Sequence, residues 1–143
     1  MTPEQVRLVR TSFARVVAQG DQAAALFYAR LFALDPSLHA LFEGDLTAQQ
    51  AKFLTALAMV VDALDRLDEM LPAVQALGRR HARYGARSGH YATVGSALIW
   101  TLEQSLGADL TPAVRRAWTA AYGLLAWTMI TAAEAALRER QAA

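Results

Sequence analysis

Cysteine is absent from this 143-residue chain, which excludes disulfides, thiolate nucleophiles, zinc ribbons and iron–sulfur clusters. An excess of one charge is also missing: 14 Lys and Arg stand against 13 Asp and Glu, for a formal net charge of +1. That balance argues against nucleic acid or a membrane surface as a partner drawn by charge. Charged residues make up 19% and hydrophobic residues 55%, too apolar a mixture for disorder. Long hydrophobic runs are lacking as well. The longest uncharged stretch, Ala117–Ala133, has 17 residues and includes three Thr, short of the ~20 apolar residues of a bilayer span. It reads as a buried helix, and no membrane span is expected. The opening Met1-Thr2-Pro3-Glu4-Gln5 has no basic-then-apolar signal pattern, so the cytoplasm is the default expectation.

What the chain does hold is helix formers. Ala occurs 31 times and Leu 20 times, and no strand-like alternation persists, so the chain reads as all-α. Thr2-Pro3-Glu4-Gln5 is a capping box with proline at the first helical position. Val6, Val9, Phe13, Val16 and Val17 follow at helical spacing, and Gly20 closes the helix. Asp21 is placed to cap a second helix, which carries Phe27, Tyr28, Leu31 and Phe32 and reaches about Leu34. Asp35-Pro36 opens a short helix to Leu41, and Phe42 to Asp45 reads as a loop. Thr47-Ala48-Gln49-Gln50 is a second capping box, ahead of Phe53, Leu54, Leu57, Val60, Val61 and Leu64. Asp65 to Glu69 reads as an acidic loop, Leu71-Pro72 as the start of a shorter helix ending before Gly85, and Arg87 to His90 as a turn. A helix with Tyr91, Val94, Leu98, Ile99 and Leu102 follows, and Thr111-Pro112 opens the last. Six substantial helices and at least one short one are expected, in one domain over 1–143 without repeats or linkers.

One residue departs from the division between solvent and core. On the stripe Val74, Leu77, His81, Tyr84 an imidazole takes a core-facing place, while Arg79, Arg80 and Arg83 point elsewhere. Such a histidine is either a core residue bonded to a backbone carbonyl or a ligand of a metal or haem. His39, in a short polar helix, and His90, in a turn, are expected in solvent. No His-x-x-His or Glu-x-x-His pair occurs. A lone inward histidine fits a prosthetic group that supplies the other four ligands itself, as haem does.

Five ordered blocks carry a resemblance. They are Leu26-Phe27-Tyr28-Ala29-Arg30-Leu31-Phe32, Pro36 to Phe42, Leu77-Gly78-Arg79-Arg80-His81, His90 to Leu98, and Ala117 to Gly123. Together they resemble the globin family, specifically the bacterial single-domain globins and the globin part of flavohaemoglobins, with similarity to neuroglobin. The resemblance runs from about Pro3 to Ala136. It implies a globin fold of six to eight helices around a haem pocket, haem b as cofactor, and His81 as the proximal ligand of its iron. It implies Tyr28 and Gln49 as the distal residues that meet the ligand, and Phe42 as the aromatic stacked on the porphyrin. Phe53, one helical turn after Gln49, stands where many relatives carry leucine, a departure that narrows the distal cavity. Lys52 and Arg80 are implied as partners of the haem propionates, and Leu77, Tyr91, Val94 and Leu98 as pocket residues. In flavohaemoglobins a tyrosine and a glutamate bear on the proximal histidine. Tyr91 matches the tyrosine, whereas Ala135 stands at the glutamate's place and Glu134 one position before it.

The function this implies is reversible binding of O₂, and of CO and NO, at a His-ligated iron, with Tyr28 O–H and Gln49 N–H as distal donors. Two other functions stay open. One is nitric oxide dioxygenation with an external reductase as electron donor. The other is a haem-free helical interaction domain in which His81 is structural. No histidine stands at the distal position, so ligand-accessible iron is expected rather than a bis-histidine haem.

Overall fold

Apolar residues at helical spacing set six α-helices: α1 Pro3–Val17, α2 Gln22–Leu34, α3 Leu46–Asp62, α4 Leu67–Arg83, α5 Ser88–Leu106 and α6 Pro112–Ala142. Short 3₁₀ segments lie at Pro36–Leu41 and Gly107–Asp109. The computed structural model describes residues 1–42 and 44–142, and among them there is no strand. Glu43, in the loop expected from Phe42 to Asp45, lies outside the described residues.

Helix starts follow local capping chemistry. Thr2 Oγ1 accepts the Gln5 N–H at 3.1 Å and Gln5 Oε1 accepts the Thr2 N–H at 3.0 Å, the reciprocal box expected of this sequence. Asp21 does not cap α2: it already has helical backbone angles, and its carboxylate makes no capping bond. Nor does Thr47 cap α3. The Asp45 carboxylate accepts the Thr47 N–H at 2.9 Å, so the helix starts at Leu46 and Gln49 sits in its first turns. Helix α4 begins at Leu67 rather than near Leu71, with Pro72 inside it. Asp68 and Glu69 therefore belong to its first turn, where carboxylates complement the positive end of the helix dipole. The expected turn at Arg87–His90 is the entry of α5 instead. His90 is its third residue, and His90 Nδ1 accepts the Arg87 N–H at 3.0 Å. Val17 and Tyr84, assigned to apolar stripes, are exposed because each stands at or past the last turn of its helix.

The helices pack chiefly as α4 on α6, α2 on α5 and α1 on α6. Trp118 of α6 is fully buried, donating Nε1–H to Ser12 Oγ of α1 at 2.8 Å, with its ring centroid 6.2 Å from that of Phe13. Gly78 of α4 lies directly against Met129 of α6. A Cβ there would fall 2.4 Å from the Met129 carbonyl oxygen, so only glycine permits this approach. Gly95 does the same for α5, where a Cβ would meet the Tyr122 ring at 2.8 Å. Among the described residues, α6 is the helix whose length and composition suffice to cross a membrane. Its Val114, Ala117, Trp118, Ala121, Ala126 and Met129 are buried in the core, while Leu124, Trp127 and Leu137 are exposed.

Candidate functional site

These contacts leave a cavity of about 440 Å³, walled by α2, α3, α4, α5 and α6 and the first 3₁₀ segment. Its volume falls in the range of small-molecule and cofactor sites. Ten of the eleven residues singled out from the sequence line it: Tyr28, Phe42, Gln49, Lys52, Phe53, Leu77, His81, Tyr91, Val94 and Leu98. The exception is Arg80. One residue before His81, it is turned by about 100° around the helix, is exposed and does not reach the cavity.

His81 is half-buried, and its Nδ1 lies 2.9 Å from the Leu77 carbonyl oxygen of the preceding turn. A carbonyl can only accept, so Nδ1 carries the proton of the neutral ring and Nε2 keeps its lone pair. The carbonyl-bonded reading of this histidine does not exclude the ligand reading: the bond fixes the tautomer a metal ligand would need.

Across the cavity Tyr28 is buried in an aromatic setting. Phe27, Phe42 and Phe53 meet its ring edge-on at centroid distances of 5.2, 5.5 and 5.9 Å. Phe53 stacks on Phe27 at 4.2 Å with nearly parallel planes. The Tyr28 hydroxyl donates to the backbone carbonyl of Gln49 at 3.4 Å, a long bond. Burial pushes its pKa up to about 12, so it stays a protonated donor.

Tyr91 of α5 also lines the cavity, and the Tyr122 hydroxyl donates to the Tyr91 carbonyl at 2.6 Å. Burial raises the pKa of both tyrosines, and for Tyr122 the charge of Tyr91 adds to the rise. Glu134 is exposed and lies outside the cavity wall, as does Ala135.

Sequence reasoning missed other lining residues. His90 was expected in solvent, yet it is half-buried and lines the cavity, because α5 starts two residues before it. Tyr122, Leu125 and Met129 of α6 lie in the stretch Ala117–Ala133 that reads as a buried helix, and an apolar wall facing a cavity has the same pattern as one facing a neighbouring helix. His39 is exposed as expected, with its ring stacked 3.7 Å from Phe32.

Among the described residues no three His, Asp or Glu side chains converge on a common point. One imidazole with a free lone pair in a large apolar cavity suits a flat apolar group that brings its own metal and four ligands, and haem is such a group.

Comparison with known proteins gives the same direction. The family model for globins matches residues 25–129. A flavohemoprotein of Bordetella parapertussis is 32% identical over 133 residues, covering 91% of this chain and 33% of its own length, so the chain spans about a third of that relative. An uncharacterized globin-like protein of Aquifex aeolicus is 29% identical over 131 residues, covering 92% of this chain and 93% of its own. A solved structure of an engineered carbene transferase, a candidate nitric oxide dioxygenase of Rhodothermus marinus, superposes with a TM-score of 0.85 at 26% identity, covering 100% of this chain and 99% of that one.

Proposed function

Because this chain belongs to the globin family, we propose that it holds haem b in the cavity through His81 and binds O₂ reversibly, with CO and NO as alternative gases. The observation that carries the proposal is His81 itself, a cavity-lining imidazole whose Nδ1–H is held by the Leu77 carbonyl. When bound, haem would supply an iron with one coordination position open to a diatomic gas.

The chain's own residues do the rest. Leu77 fixes the His81 tautomer, and Gly78 sets α4 against α6 so that the ring has a rigid backing. Tyr28 and Gln49 offer donors on the other wall. The existing 3.4 Å bond of Tyr28 is weak, so its hydroxyl can turn to a stronger acceptor at little cost. Phe27, Phe42 and Phe53 keep water from that hydroxyl and strengthen any bond it makes.

Reversible binding is favoured over redox turnover by what faces His81. Its hydrogen-bond partner among the described residues is a neutral backbone carbonyl, while Glu134 is exposed. A carboxylate in that place would raise the basicity of the imidazole. Nitric oxide dioxygenation would need an external reductase, and steady NO consumption with one supplied, rather than a single stoichiometric burst, would give it precedence. The direct test is O₂ dissociation after Tyr28→Phe and Gln49→Leu. A donor to a charged acceptor contributes about 1.5–3 kcal/mol, so each change is expected to speed release by roughly one to two decades. Unchanged rates in both variants would overturn the distal assignment.

A further inference from the structure

Seven residues with polar groups stand on the otherwise apolar cavity wall, and three of them have those groups held inside the protein. His81 Nδ1 is held by Leu77, the Tyr122 hydroxyl by the Tyr91 carbonyl, and the Tyr28 hydroxyl leans on Gln49. Among the described residues the Gln49 amide and the Tyr91 hydroxyl make no hydrogen bond, and the two remaining groups, Lys52 on α3 and His90 on α5, are basic and meet no carboxylate. Lys52 makes no ion pair among the described residues, and His90 has a hydrogen bond at one nitrogen alone. That bond is informative. The Arg87 backbone N–H donates to His90 Nδ1 at 3.0 Å, so Nδ1 bears no proton and the neutral ring carries it on Nε2. The ring cannot exchange tautomers without giving up the cap of α5. A half-buried N–H donor of fixed identity therefore lines the cavity, and among the described residues no group accepts it.

We propose that His90 binds the carboxylate edge of the group held in the cavity, alongside Lys52, which the resemblance already implies there, so that one imidazole both caps α5 and anchors the prosthetic group. This rests on the haem assignment above, and it replaces Arg80, which stands outside the cavity. Haem is an apolar disc with two propionates on one edge. A fixed N–H and an ammonium on two different helices match that acidic edge, and hydrogen bonds to charged acceptors are the stronger kind.

The test compares dissociation of haem and of haem dimethyl ester, whose acid groups are blocked, into an excess of a haem-scavenging apoprotein. His90→Glu keeps an acceptor for the Arg87 N–H, as glutamate does in a capping box, but removes the donor and adds a negative charge. It is expected to release haem about tenfold faster or more and to leave release of the ester unchanged. His90→Gln, which keeps both an acceptor and a donor, should stay near the wild-type rate. Lys52→Met should speed release of haem alone, and Arg80→Ala should change neither. His90→Phe serves as a second donor-free variant, with helix content of the apoprotein by circular dichroism separating loss of the cap from loss of the donor. Equal acceleration for haem and ester, or none for either, would overturn the assignment of His90. A wild-type chain that takes up neither molecule would overturn the haem assignment and this inference with it.

Discussion

Tyr28 shows how burial sets the chemistry of a single side chain. With its pKa pushed up to about 12, it keeps its proton at any physiological pH and acts as a donor rather than as a phenolate. The same burial raises Tyr91 and Tyr122. An acid whose pKa is higher in the folded state loses its proton first when the chain unfolds. Above about pH 10 the unfolded chain thus binds fewer protons than the folded one, and stability falls as pH rises. Thermal melts of the apoprotein are expected to show the midpoint dropping between pH 10 and 12, with a smaller drop in Tyr28→Phe. A midpoint flat across that window would contradict the burial of these hydroxyls. At this scale the sequence was most informative where helical period separated one polar residue from its neighbours. His81 stood out because its stripe was otherwise apolar. His90 did not, because its role depends on where α5 begins, and that start rests on a backbone N–H finding an imidazole.

Between elements, close approach decides more than side-chain chemistry. Gly78 and Gly123 are both glycines within helices, but their surroundings differ. A Cβ at Gly78 would overlap the Met129 backbone, whereas nothing lies within 4 Å of one at Gly123. Gly78→Ala is expected to destabilise the protein by about 1–3 kcal/mol, through overpacking that pushes α4 from α6. Gly123→Ala is expected to stabilise it by about 0.5–1 kcal/mol, by removing glycine's backbone freedom from a helix interior. Urea unfolding of both variants checks the pair, and equal effects would mean that α4 and α6 do not meet as described. The periodicity of the chain revealed all six helices but placed several ends wrongly. Proline at 72 drew the start of α4 toward itself, although the acidic Asp68 and Glu69 are good first-turn residues. The resemblance implied Arg80 as a partner of the cavity's occupant, yet one step along the helix from His81 turns its side chain away.

For the molecule as a whole, the shortage of charge and the excess of apolar residues have a common explanation. The helices must cover both a core and the wall of a cavity of about 440 Å³. Composition could not separate these two uses, because core and cavity wall demand the same side chains. Aromatic residues crowd one side of the cavity and a single imidazole stands on α4. Filling that space with a ligand bound by the folded chain alone should stabilise it by about 2.7 kcal/mol at a hundredfold excess over its dissociation constant. The most direct measurement is the visible spectrum of the purified chain after addition of one equivalent of haem, read in the ferrous form with and without CO. A Soret band that forms at one equivalent, is lost in His81→Ala and shifts on CO addition is the expected result. No Soret band, or a ferrous low-spin spectrum of two imidazole ligands that CO leaves unchanged, would contradict a single-histidine site open to gas.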